Sequence, residues 1–255
     1  LKKIANNLIS SLKAKGINSF LGGSLAKGTL IRDSEKRDID IFALFSETRD
    51  IPKLAKILEK MDLPGKLKRI RGSRDYFQVV NSGIILEIIP VVKSRNAVVE
   101  NVTDFSLSHV KYIRDKIMKD PKLADEIRLA KAFCKANKIY GAESYVHGFS
   151  GYSLEVLTIY FGSFVKFLKG MGGEKLMVLD PAKHFRNRNE VMRELNESKI
   201  SGPIVLVDPM HKYRNICAGL NYESFSKFGK VSGEFLKSPS LEFFEKKDIN
   251  FEKLK

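Results

Sequence analysis

"GGSLAKGTLIRDSEKRDIDIFALF", residues Gly22 to Phe45, is the stretch on which the fold turns. Its end, "DIDIFALF", is rich in β-branched and aromatic residues and is bounded upstream by the charged "RDSEKR", as a strand start is. On an extended strand residues i and i+2 share a face, so Asp38 and Asp40 stand side by side while Ile39 and Ile41 turn to the other face. Two like charges at that spacing repel, and a shared divalent cation with hard oxygen ligands, Mg²⁺ above all, removes the cost. A solvated strand start is the competing reading. The residues just ahead weigh against it: in "GGSLAKGT" the glycines permit close backbone approach, successive N–H groups can converge on phosphate oxygens, and Ser24 and Lys27 add a hydroxyl and a charge. A Gly-Ser turn followed by D-x-D at the head of the next strand reads as a triphosphate site with its metal.

Working outward, Ile4, Leu8, Ile9 and Leu12 fall at helical spacing ahead of Gly16, so residues 2–15 read as an amphipathic helix running into a short strand at "INSFLGG". A helix over residues 51–61, with Pro52 in its first turn, follows the central strand. "DYFQVV" and "IILEIIPVV" flank "NSG", a hairpin turn sequence. Glu87 is the one acid between Ile84 and Val92, set among apolar neighbours. It reads as a third carboxylate for the metal site, with an edge-strand glutamate facing water as the alternative. The result is a mixed sheet with helices that ends near residue 100.

Beyond it the pattern changes to long helices, one through "PKLADEIRLAKAFCKANK" and one through "SGYSLEVLTIYFGSFVKFLKG", interrupted at Gly170, Gly172 and Gly173. "PIVLVDP" returns one strand and "NYESFSKFGKVSGEFLKS" a last helix. The fold class is therefore α+β, with a head domain over 1–104 and a mainly helical domain over 105–255. There is no internal repeat.

Lys and Arg total 45 against 30 Asp and Glu, a formal charge of +15, so the surface attracts polyanions and nucleic acid is the first candidate partner. The basic stretches "KLKRIRGSR" (66–74), with Lys68, Arg69, Arg71 and Arg74, and "KHFRNRNEVMR" (183–193), with Lys183, Arg186 and Arg188, are candidate tracks for a nucleic-acid backbone. Solvated charged loops are the competing reading. Two cysteines, Cys134 and Cys217, without C-x-x-C or a Cys/His cluster, point to neither zinc nor a disulfide framework and read as reduced, buried thiols. No run is apolar enough to span a bilayer and no signal-peptide core is seen, which places the chain in the cytoplasm, with no membrane partner. The sequence begins at Leu1 rather than Met, so the expectation is that the natural start lies upstream.

G-S-x-A-K-G-T, then D-I-D, then E-I-I-P resemble the nucleotidyltransferases of the DNA polymerase beta superfamily. "IRLAKAFCKANKIYGAESYVHGFSGYSLEVLTIYFGSF", "VDPMHKYRNICAGLNYESFSKF" and "SPSLEFF" narrow the match: they resemble the central domain of the archaeal, class I CCA-adding enzymes, the tRNA nucleotidyltransferases. The resemblance covers nearly the whole chain. It implies a polymerase-beta-like head followed by a helical central domain, and template-independent building or repair of the tRNA 3′ CCA end from CTP and ATP. It implies two Mg²⁺ ions, with Mn²⁺ able to substitute, held by Asp38, Asp40 and Glu87, the last helping to deprotonate the attacking 3′-hydroxyl. It also implies nucleotide contacts from Gly23, Ser24, Lys27, His109, Lys131, Tyr140 and Arg214. Taken one at a time, His109 also reads as a helix-start histidine, Lys131 as a solvated helix lysine and Tyr140 as a packing residue. Arg214 carries most of the nucleotide choice in this reading, since its planar fork can bond a base edge and a phosphate together.

The resemblance departs at two places. The family has aspartate at the position of Glu87, and the extra methylene moves a carboxylate by roughly 1.5 Å, a displacement that can cost on the order of a hundredfold in rate unless the strand shifts. The family is also longer, with a C-terminal tail that grips the tRNA. The expectation is a shortened chain: a fragment, a natural miniature, or half of a split enzyme completed by a second copy or a separate tail-like chain. Another polymerase-beta-like transferase that uses ATP alone, and a tRNA-binding module with weakened catalysis, are the other readings.

Overall fold

The opening helix, α1 (Lys2–Ala14), buries Ala5, Leu8, Ile9 and Leu12, the stripe that its helical spacing lays out. In the computed structural model, which describes residues 1–31, 37–72, 74–93, 102–171 and 176–245, this stripe covers one face of a five-stranded sheet. The charged run 32–36, Ser73, and Gly172 and Gly173 lie outside the described residues. The chain divides into two units, Leu1–Asp115 and Lys116–Lys255.

In the first unit, β1 (Asn18–Leu21) leads through a short helix, α2 (Gly23–Lys27), to β2 (Arg37–Phe45), and α3 (Pro52–Leu58) starts on its proline. Then come β3 (Lys66–Ile70), β4 (Tyr76–Asn81), β5 (Ile84–Val92) and α4 (Ser106–Lys119). The strand order is β1-β2-β5-β4-β3, with β2 and β5 parallel and the other pairs antiparallel. "NSG" makes the expected hairpin: Ser82 and Gly83 both take positive φ, 46° and 78°, the backbone that matches strand twist in a two-residue loop. Ile39, Ile41, Ala43, Leu86, Ile88, Phe77 and Val79 form the back face, packed against α1 and against Leu54 and Leu58 of α3. On the front face, Phe42 and Val91 pack against Val110, with Leu107 and Ala26 beside them. β3 was not expected, because "KLKRI" offers just two apolar residues; Leu67 reaches the core while the lysines blunt a sheet edge.

In the second unit, α5 (Leu123–Ala136) is followed by two helices where the sequence suggested one: α6 (Gly151–Phe161) and α7 (Phe164–Gly170). Gly162, at φ 85°, closes the first as a left-handed cap, and the Ser163 side chain accepts from the Lys166 N–H to start the second. "PIVLVDP" is likewise the middle of a three-stranded sheet and not a lone strand: β6 (Met177–Leu179), β7 (Ile204–Asp208) and β8 (His211–Asn215). α8 (Arg188–Glu194) and α9 (Tyr222–Lys237) complete the unit. Phe133 of α5 is ringed by Phe164, Phe228, Phe235, Phe243 and Phe244, so "SPSLEFF" is a core anchor. Cys134 and Cys217 are buried and unpaired with each other, and burial pushes both thiols up, Cys217 to about 12, which leaves them unreactive. Among the described residues no helix is long and apolar enough to cross a membrane.

Candidate active site

The glycine turn and the acidic strand are fitted to one another. The Gly22 N–H donates to the Asp40 carbonyl over 2.7 Å, and a Cβ at Gly22 would meet the Phe42 ring at 2.5 Å. At Gly23, φ is +55° and a Cβ would lie 1.6 Å from Asp40 Oδ2. No side chain fits there without displacing the carboxylate or the turn. Ser24 and Lys27 follow on α2, both half-buried.

Register does the rest. Lys68, Gln78, Glu87 and Asp40 stand opposite one another across β3, β4, β5 and β2, and Asp38 stands opposite Ile85. Asp38, Asp40 and Glu87 thus share the front face, with Asp38 exposed and the other two half-buried. Gln78 Nε2 donates to Glu87 Oε1 over 2.8 Å. Burial pushes the Glu87 carboxyl above its ordinary range; the bond from Gln78 opposes this, and the charges of Asp40 and Asp38 add to it. The Tyr76 phenol is pushed up too, by burial and then by Glu87 and Asp38. Gln78 and Tyr76 were missed in the sequence, where their signal was alternation along the hairpin strand.

Among the described residues no three His, Cys, Asp or Glu side chains are yet gathered tightly enough to hold an ion. The donor set nevertheless fits one in kind: three carboxylates on one face, where the charges of Asp40 and Asp38 add to the proton affinity of Glu87, in a chain of formal charge +15. Hard oxygen donors of this type suit Mg²⁺ or Mn²⁺. His109, on α4, is buried and stacked on Phe105 with ring centroids 6.1 Å apart.

In the second unit, Lys131 and Tyr140 are brought together. Lys131 Nζ lies 2.7 Å from Glu155 Oε1, and both residues are buried, at 2% and 0% exposure, so Lys131 is not a solvated helix lysine. Tyr140 Oη is 2.8 Å and Lys131 Cε 3.9 Å from where a Gly151 Cβ would be, so the glycine of "FSGY" admits both to the start of α6. Glu155, an acid inside the apolar "LEVLTIYF", was a signal passed over. Arg214 Nη1 donates over 3.0 Å to Oδ2 of Asp208, which is fully buried. Asp208 Oδ1 accepts from Tyr152 Oη at 3.1 Å and from the Met210 N–H at 2.9 Å.

Of the basic stretches, Lys68, Arg69 and Arg71 are exposed, Arg69 paired with Asp75 at 2.6 Å. Arg74 is set apart from them. Its side chain is 8% exposed and bonded to Asp104, which also accepts from the Val92 N–H, so it ties chain segments together instead of facing solvent. Lys183, Arg186 and Arg188 are exposed. Their loop is held by the Phe185 N–H on Asp180 Oδ2 at 2.8 Å and by His184 Nε2 against the Pro209 carbonyl at 3.1 Å.

Residues 125–245 match the family described as tRNA nucleotidyltransferase, second domain. The chain is 36% identical over 234 residues to the CCA-adding enzyme of Nanoarchaeum equitans, covering 90% of this chain and 58% of that one. It is 34% identical over 260 residues to the CCA-adding enzyme of Pyrococcus abyssi, covering 97% and 56%. The chain thus spans a little over half the length of these curated relatives. Among solved structures, a cytoplasmic RNA terminal U-transferase superposes with a TM-score of 0.72 at 13% identity, over 97% of this chain and 92% of that one. The Cid1 poly(U) polymerase gives 0.70 at 12% identity, over 97% and 94%. These two share the nucleotidyltransferase fold.

Proposed function

We propose that, over the stretch it spans, the chain is a member of the CCA-adding enzymes it resembles and that it extends the 3′ end of tRNA with CMP and AMP units from CTP and ATP, releasing pyrophosphate. The observation that carries this reading is the front face of the sheet, where Asp38, Asp40 and Glu87 share one side and Gly23 is fitted against Asp40. The RNA 3′-oxygen forms a bond to the α-phosphorus as the bond to the β-phosphate oxygen breaks.

Asp38, Asp40 and Glu87 are the residues that would hold two divalent ions, Mg²⁺ with Mn²⁺ as a substitute. Such ions, when bound, lower the pKa of the attacking hydroxyl and neutralise charge on the departing pyrophosphate. Glu87, its proton affinity raised by burial, is suited to take the hydroxyl proton. Gly23, Ser24 and Lys27 receive the triphosphate through backbone N–H groups, a hydroxyl and a charge. We assign nucleotide contacts also to His109, Lys131, Tyr140 and Arg214. Lys68, Arg69, Arg71, Lys183, Arg186 and Arg188 are assigned to the RNA backbone, where they would supply salt-sensitive affinity. We assign this work to the cytoplasm.

The test is incorporation of labelled CTP and ATP into tRNA lacking its CCA end, with Mg²⁺, by the chain and by Asp40→Asn. Incorporation that Asp40→Asn abolishes supports the reading; tRNA binding without incorporation, in Mg²⁺ or Mn²⁺, refutes it. The fold shared with single-nucleotide tailing enzymes favours a second reading, extension of RNA with one nucleotide. ATP use on any RNA with CTP ignored would select it.

A further inference from the structure

We propose that Tyr152 and Asp208 form a brace that fixes the guanidinium of Arg214 in one orientation and so sets which nucleotide is accepted. This deepens the reading of Arg214 as a nucleotide contact and rests on it.

Asp208 ends β7 with no exposure to solvent. A carboxylate buried so completely needs both counter-charge and hydrogen bonds. Arg214, three positions after His211 at the start of β8, supplies the charge on Oδ2. The Met210 N–H on Oδ1 comes from the turn between β7 and β8, so the carboxylate is locked to the backbone that carries Arg214. Tyr152 supplies the bond from outside that hairpin. It is the second residue of α6, in a first turn pinned by the Ser150 side chain accepting from the Ser153 N–H at 3.0 Å. Gly151, immediately before it, is where Lys131 and Tyr140 approach. One helical turn therefore touches both groups of candidate nucleotide contacts.

The burial gradient gives the brace its direction. Asp208 is sealed, while the Arg214 side chain is 29% exposed. A single nitrogen of the guanidinium meets Oδ2, which leaves other N–H donors of the planar fork able to meet a base edge or a phosphate. An arginine held at one end discriminates by geometry, because a base whose donors and acceptors do not match leaves polar groups unpaired. Tyr152 and Asp208 are positioning residues in this scheme, acting through Arg214.

The experiment measures the ratio of CTP to UTP incorporation, and of ATP to GTP, by the chain and by Tyr152→Phe and Asp208→Asn. Competing nucleotides are read on one preparation, so loss of folded protein cancels from the ratio. Each variant is expected to lower the ratio by about tenfold, the scale of one hydrogen bond to a charged group. Unchanged ratios in both variants, with only total rate or melting temperature altered, would overturn the brace and leave the proposed function standing. If the chain incorporates nothing, titration with CTP and UTP reads the same ratio as dissociation constants. Absence of nucleotide binding as well would overturn the reading of Arg214 and the brace with it.

Discussion

Gln78 and Glu87 face each other across the β4–β5 hairpin, and Gln78 Nε2 donates to Glu87 Oε1 over 2.8 Å. The bond offsets part of what burial, Asp40 and Asp38 do to the Glu87 carboxyl, since donation to the charged form favours ionisation. Gln78→Leu removes it. The acid limb of the rate profile is then expected to move to higher pH, measured as kcat/KM from acidic to neutral pH. An unmoved limb would mean that Glu87 ionisation does not control the rate.

The same shift makes a statement about stability. The folded Glu87 binds its proton more tightly than the unfolded chain does, so its ionisation costs stability as pH rises past the unfolded pKa. Glu87→Gln should therefore raise the melting temperature near neutral pH and lose that advantage below the unfolded pKa, while activity falls. Thermal melts at acidic and neutral pH check the sign.

Gly23→Ala forces a methyl onto Asp40 Oδ2 and an L-residue into positive φ. The backbone strain alone costs about 1–2 kcal/mol, and displacement of the carboxylate should lower turnover on the order of a hundredfold. Gly16→Ala, at φ +80° with nothing near its Cβ position, carries the strain without the collision. Comparison of the two in melts and rates separates strain from misplacement.

Lys131 and Glu155 form a buried pair, so removing either partner takes a counter-charge from the other. Lys131→Met is expected to cost about 3–5 kcal/mol, and Lys131→Met with Glu155→Leu to restore most of it. Denaturant unfolding measures both. Nucleotide affinity should stay low in the double variant if Lys131 also contacts nucleotide.

Arg71→Glu and Arg74→Ala should fail differently. Arg71 is exposed, and its loss should weaken tRNA binding and reduce the slope of log affinity against log salt by about 1. Arg74 is buried on Asp104, and its loss should show in the melt. Salt titrations of tRNA binding, beside melts, distinguish them.

What the sequence disclosed was what is local. Asp38 and Asp40 share a face because strand alternation says so, and the glycine turn lies next to them in the chain. The meeting of Glu87 with Asp40 needs β5 to lie parallel beside β2, a pairing between segments more than forty positions apart that no short pattern specifies. β3 was hidden by its lysines, and the break at Gly162 by the apolar run around it. Asp208 looked like the end of a strand; its side-chain contacts come from Tyr152, on helix α6, and from Arg214. Charge alone likewise grouped Arg74 with exposed neighbours, since only tertiary structure brings Asp104 to it.

The most direct measurement gives the chain Mg²⁺ and tRNAs ending before CCA, after C and after CC, with labelled CTP or ATP offered separately. The account predicts CTP incorporation on the first two and ATP incorporation on the third, all abolished by Asp40→Asn. Binding of these tRNAs without addition of either nucleotide, in Mg²⁺ and in Mn²⁺, would contradict it.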